Sequence, residues 1–320
     1  MIFFKKWKIK NIVILLTLVL LSQCNPPKDP IRIGVNAWPP CEIWYVAQKM
    51  GYFGDTKVEL VRFSAWTDNM LSLYTGKTDI THATYFNALY YSQKGEQGQI
   101  ILTSDTILGG DGLVVKGAIK SGADLKNKKI AVEVGTDEHF LLFKTLELYG
   151  LSVADVQIIP STSMEAMNKF IKGEVDACYT YEPFLSQAAT EGSGKVLSTT
   201  KDLPGYMIDV LVGRSSVMQK RKKEYQTIVK AWYKAQQYIR EHPAEAMAIM
   251  APLEKMEIAD YKGFFNGFTF YSLVENKELM ASQKLKSILS EISDFIQKTN
   301  LNPNKIDVNS VYTNEIIKDL

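Results

Sequence analysis

Cysteine and histidine are scarce in this chain, three of each in 320 residues. Cys24, Cys41 and Cys178 offer no C-x-x-C pair, and His82, His139 and His242 give no H-E-x-x-H helix, so no metal is expected. No EF-hand, P-loop, G-x-S-x-G elbow or triad arrangement is visible, and no cofactor is expected either. A long apolar run is missing too. Residues 12–21 are apolar apart from Thr17, but a bilayer-crossing helix needs about 20 such residues. An excess of one charge is also absent. The net charge is +2, and it comes from Lys5, Lys6, Lys8 and Lys10. Taking those four from the 37 basic residues leaves 33 against 35 acids, a net charge of −2. Such a body has no basic footprint for nucleic acid, and none is expected as a partner.

What the chain does have begins with an export signal. The four lysines form a basic n-region ahead of the apolar stretch, and Leu21-Ser22-Gln23-Cys24 follows. This order resembles a bacterial lipobox, with Gln23 where Gly or Ala is usual. Residues 1–23 are expected to be a lipoprotein signal peptide and Cys24 the lipidated new N-terminus. Residues 24–30, with three prolines, read as a short tether. Cys41 and Cys178 could bridge in an oxidising compartment, although two small buried residues are the simpler expectation.

From Ile31 onward, strand and helix patterns alternate. Strands are expected at 31–35, 58–63, 79–82, 100–106 and 112–116, with helices at 43–50, 67–74 and 85–92. The pattern restarts with strands at 129–134, 156–159, 177–180 and 207–213 and helices at 138–149, 163–172 and 182–189. After Ser216 the chain reads as mostly helical. Alternation of this kind implies βαβ units and a largely parallel sheet. The two prolines at 39–40 are expected to delay the first helix and hold its loop extended.

Six fragments in order carry a resemblance: IRIGVNAWPP (31–40), AQKMGYFGDTKVELVRF (47–63), TGKTDITHATYFNAL (75–89), GGDGLVVKGAIKSGADLKNKKIAV (109–132), GEVDACYTYEPFLSQA (173–188) and MIDVLVGRSSVMQKR (207–221). Together they resemble the substrate-binding proteins of nitrate/sulfonate/taurine-type ABC importers. The resemblance implies a two-lobed α/β type II periplasmic-binding fold with two hinge crossings, near Gly112 and Asp209, and a helical C-terminal region. Lobe 1 would comprise 31–112 and 210–320, and lobe 2 residues 113–209. It also implies a small-molecule ligand held between the lobes, an ABC permease as membrane partner, a monomer, and a periplasmic or cell-surface protein anchored through Cys24.

Candidate ligand-binding residues fall at strand ends. Trp38 and Trp66 follow the first and second strands, where an aromatic ring can stack on a flat or cationic ligand. Thr84 ends the third strand and could cap the next helix or bind ligand. Asp111 and Gly112 sit at the first crossing, where Gly lets backbone approach closely. Glu182 opens a helix, where its charge also favours the dipole. Asp209 stands inside an apolar strand, a costly place for an unpaired acid, and in taurine-type relatives the matching Asp holds the ligand's amine. Thr136 begins a helix at the position where sulfonate binders offer hydroxyl and N–H groups to the anion. Here Asp137 and Glu138 follow it. With Asp111, Glu182 and Asp209, they make the cleft acidic and favour an amine-bearing or zwitterionic ligand, of the taurine/aliphatic-sulfonate or thiamine-pyrimidine-precursor class. A bare anion such as nitrate is not expected. His139 reads as a packed helix residue. The alternatives are an enzyme of the same fold, such as a menaquinone-pathway enzyme, and a signalling receptor that presents ligand to a sensor.

Overall fold

The computed structural model describes residues 29–302 and 304–320, so the export signal and Cys24 lie outside the described residues. Alternation is regular through the first half: β1 (Ile31–Val35), α1 (Pro39–Lys49), β2 (Val58–Arg62), α2 (Trp66–Tyr74), β3 (Ile80–Thr84), α3 (Tyr85–Tyr91) and β4 (Gly98–Ile107). The chain then enters a second series: β5 (Asp111–Val115), β6 (Lys129–Val132), α4 (Asp137–Leu148), β7 (Gln157–Pro160), α5 (Ser163–Ile171), β8 (Ala177–Tyr181), α6 (Phe184–Glu191) and β9 (Lys195–Thr199). It returns through β10 (Asp209–Arg214) and continues as α7 (Ser215–Lys220), α8 (Lys222–Glu241), α9 (Pro243–Met250), α10 (Ile258–Phe265), β11 (Phe268–Phe270), α11 (Leu273–Ala281) and α12 (Gln283–Lys298).

Two sheets result, in the orders β11-β4-β10-β3-β1-β2 and β7-β6-β8-β5-β9. They are mixed rather than largely parallel. The βαβ units pair in parallel, but β10 runs antiparallel to both β3 and β4, and β5 antiparallel to both β8 and β9. The strands that cross between lobes cause this, because a chain leaving one sheet and returning must run back against its neighbours. Asp111 and Gly112 thus begin a strand of the second sheet, and Asp209 begins one of the first. Neither β9 nor β11 is apparent in the sequence, because β9 (KVLST) is mostly polar and β11 (FTF) is only three residues long.

Pro39 and Pro40 open α1 instead of delaying it. The first helical positions lack intrahelical N–H bonds in any case, so proline costs nothing there and its fixed φ suits the turn.

β5 shows how the second lobe is filled. Leu113 and Val115 face one apolar cluster with Ile130, Val132 and Tyr179, while Val114 faces another with Ala131, Phe170 and Cys178. That is the two-residue period of a strand buried on both faces. In the first lobe, α8 places Tyr225, Ile228, Val229, Trp232 and Ala235 on one stripe against α1 and the sheet. Cys41 and Cys178 are buried, free thiols in different apolar clusters.

The lobes touch through α4. Phe140 and Phe143 meet Phe295 of α12 at ring-centroid distances of 5.3 and 5.2 Å. The Lys144 ammonium donates to Glu291 at 3.0 Å and the Tyr206 hydroxyl to the same carboxylate at 2.7 Å.

Candidate functional site

Asp209 opens β10 in register with Thr84 of β3 on one side and Asp105 of β4 on the other, and Phe270 of β11 lies opposite Asp105. Cross-strand partners point to the same face. One row, Phe270, Asp105, Asp209 and Thr84, therefore forms a floor where the first sheet meets the crossings. Trp38, at the start of α1, stands over it and donates its indole N–H to Asp209 Oδ2 at 3.2 Å. Its ring packs edge-on against Trp66 at 6.5 Å, Phe264 at 5.8 Å and Phe268 at 5.1 Å. Trp66 remains 39% exposed, so this aromatic wall is open on one side.

The second lobe faces this wall with acids. Asp111 is buried in β5, Glu138 is buried in the first turn of α4, and Asp137 is partly exposed beside it. The Asn87 amide of α3 donates to Asp137 Oδ2 at 3.1 Å, a direct bond between the lobes. Burial raises all of these carboxyls. Asp137 is pushed up to about 8 and Asp209 to about 6, the latter moderated by hydrogen bonds from Asp105 and Trp38. Glu138 is also raised, and Asp105 and Asp111 are driven well above the usual range. Asp111 is raised further by Glu138, Asp137, Asp209 and Glu182, so the acids share one space. Among the leading influences on these five groups, none is a Lys or Arg.

Helix starts are the usual anion cradles of such folds; that of α2 has no side-chain cap, whereas those of α1 and α4 are occupied. In α1, two prolines remove two N–H groups, and the Cys41 N–H is spent on the Trp38 carbonyl at 2.8 Å. In α4, Asp137 and Glu138 turn their carboxylates to their own backbone N–H groups. These acids fill the position that an incoming anion would need. Thr136 does not cap the helix, because its hydroxyl donates to the Glu133 carbonyl at 2.7 Å. Thr84 does cap α3, accepting from the Asn87 N–H at 3.0 Å. Glu182 accepts from the Ser186 N–H and hydroxyl at 3.1 and 2.8 Å, a helix-capping role at the edge of the acidic group. Gly112 is explained by strand packing, since a Cβ there would lie 2.6 Å from the Ser198 carbonyl oxygen of β9. His139 is buried and meets Phe295 edge-on at 5.1 Å, as a packed helix residue should.

Asp105, Asn87, Phe264 and Phe268 belong to this region and escaped the sequence reading. The aromatic spacing of 264–270 is a visible signal for the last two. For Asp105 and Asn87 the sequence carries none, since each is placed by pairing between distant segments. Among the described residues no group of three or more His, Cys, Asp or Glu has the arrangement to hold a metal ion.

The sequence profile of the NMT1-like family matches residues 24–253. A Bacillus subtilis (strain 168) protein, provisionally named for binding aliphatic sulfonates, is 25% identical over 97% of this chain and 96% of its own length. The taurine-binding periplasmic protein of Escherichia coli (strain K12) is 23% identical over 62% of this chain and 64% of its own length. In three dimensions, the periplasmic aliphatic sulphonate binding protein SsuA from Escherichia coli superposes with a TM-score of 0.73 at 20% identity, covering 89% of this chain and 92% of that one. The fold is that of these periplasmic binding proteins.

Proposed function

Because the chain belongs to the NMT1-like family, we propose that it is the extracytoplasmic solute-binding component of an ABC importer, holding a small amine-bearing ligand between its lobes. The observation that carries the reading is electrostatic. Asp105, Asp111, Asp137, Glu138 and Asp209 converge from both lobes with no Lys or Arg among their main partners. Buried acids are otherwise paired or costly, and a ligand cation supplies the missing charge. The aromatic wall of Trp38, Trp66, Phe264 and Phe268 adds a face on which a flat or cationic group can rest. Sulfonate or taurine binding by relatives extends to this chain through the amine, since the starts of α1 and α4, two of the places that would cradle the anion, are occupied. Thr84 and Asp209 belong to the ligand floor in this reading, Trp38 and Trp66 to one wall and Asp111 to the opposite wall. Thr136, Gly112 and Glu182 support the walls rather than touch ligand. Binding without turnover, anchoring through Cys24 and delivery to a permease complete the proposal.

Titration calorimetry with taurine, a 4-aminopyrimidine, ethanesulfonate and nitrate tests it. An amine-bearing compound is expected to bind, and Asp209→Asn to weaken it at least about tenfold, or 1.4 kcal/mol. Tight binding of ethanesulfonate or nitrate alone would reject the amine reading, as would an Asp209→Asn protein with wild-type affinity.

A further inference from the structure

Asp105 has no accessible surface, and beyond the Asp209 carboxyl and the neighbouring Ser104 hydroxyl nothing is placed to hydrogen-bond its carboxyl oxygens. Native structures rarely leave buried polar atoms in this condition without a role for them. Asp105 sits across the strand pair from Asp209, on the same face, where partner Cβ atoms are about 4.5–5.5 Å apart. Two carboxyls this close cannot both stay ionised unless a cation joins them. The groups around the pair supply none. Cys41 of α1 and Tyr271 after β11 are neutral, Trp38 donates only an N–H, and Asp111 and Asp137 from the second lobe are further carboxyls, not cations.

We infer that Asp105 and Asp209 together form a two-carboxylate seat for one ligand ammonium group, and that the empty seat holds a single shared proton which the arriving cation displaces. The inference rests on the amine-ligand reading and adds the residue that sets its charge specificity. The exchange balances simply. The carboxyl O–H bond breaks, its proton passes to buffer, and the ammonium N–H groups donate to both carboxylates. About one proton leaves per ligand bound, and apparent affinity rises by up to about tenfold per pH unit while the pair is still protonated.

Calorimetry of the full chain in two buffers of different ionisation heat, between pH 6 and 8, tests this. The probe is the tightest binder among taurine, 2-aminoethanol and 1,4-diaminobutane, each an ammonium in that range. Wild type should release about one proton and bind more tightly as pH rises. Asp105→Asn should bind at least about tenfold more weakly, with about one proton fewer released and a shallower pH profile, while Asp105→Glu should restore the release. The competing arrangement, a permanently protonated Asp105 donating to Asp209, makes the opposite forecast, because Asn donates equally well and affinity would be kept. Wild-type binding without proton release also overturns the seat, and that measurement needs no variant. If none of the three ammonium probes binds while the aminopyrimidine does, the seat is rejected and the amine reading stands.

Discussion

At the Arg214 end of β10, buried Asp79 is held by the Arg214 guanidinium, by the Arg32 side chain and, at 2.9 Å, by the Arg32 backbone N–H. Glu96 adds a second carboxylate to Arg214 at 3.1 Å. At the Asp209 end of the same strand, two carboxyls face each other with only an indole N–H in support. One six-residue strand thus neutralises an acid at one end and leaves acids bare at the other. The fold can bring arginine to a buried carboxylate where stability is the purpose. The bare end is where the proposed ligand cation would complete an ion pair.

The contrast can be broken most strongly at the paired end. Arg214→Ala removes the main partner of a carboxylate that is 3% exposed. Breaking one side of a buried pair is expected to lower unfolding free energy by about 3 kcal/mol, read from denaturant midpoints. Asp105→Asn, at the bare end, should leave stability unchanged or raise it, which separates the two ends in a single pair of melts.

A smaller effect comes from pH. Carboxyls raised by folding hold protons that the unfolded chain has already lost, so stability falls as pH rises from the unfolded value near 4 toward the folded one. Asp209, at about 6, has spent this effect by neutral pH, whereas Asp137, at about 8, and the well-raised Asp105 and Asp111 have not. His82 and His139, lowered to about 3 and about 4 by burial, act in the other direction below about pH 6.5, where the unfolded chain gains protons that the fold refuses. The raised carboxyls, Glu42 at about 9 among them, outnumber the two histidines, so the ligand-free protein should melt at a falling temperature from about pH 5 to pH 8. Saturating amine ligand should flatten the alkaline side, and a melting temperature that climbs between pH 6.5 and 8 without ligand would contradict the bare-acid account.

The smallest expected change is at Trp38. Trp38→Phe keeps the aromatic wall but removes the N–H to Asp209, costing about 1 kcal/mol of ligand affinity with no loss of fold. Intrinsic fluorescence reports on it, since Trp38 and Trp66 share the wall and their signal should respond to ligand. Unchanged affinity in Trp38→Phe would show that Asp209 needs no help from the indole.

Local patterns made most of the architecture readable. The β-branched runs, the glycine stops after helices and the acid within MIDVLVG all mark real features. What escaped depends on pairing between distant segments. Asp105 sits in TSDT, a polar stretch that looks like any exposed strand, and only the antiparallel arrival of β10 makes it a buried partner of Asp209. The mixed sheets escaped for the same reason, because strand direction is decided by the crossings and not by residue period. Pro39-Pro40 misled because proline is both a breaker and a favoured helix opener, and its neighbours do not say which. The acids at 137–138 were visible, but their orientation toward their own N–H groups is a matter of rotamer, which spacing does not reveal.

The position of β10 between β3 and β4 has a consequence for biosynthesis. As the chain leaves the ribosome, β3 and β4 appear early, but the strand that joins them arrives only after all of β5 to β9 has been made. The second sheet is built from one continuous stretch, whose contacts are comparatively local, so it can form first. The first sheet must wait with two unsatisfied edges, exposed to aggregation until residues 209–214 close the gap. Export of the chain before folding would move this vulnerable interval to the far side of the membrane, where the proposed ligand would also be met.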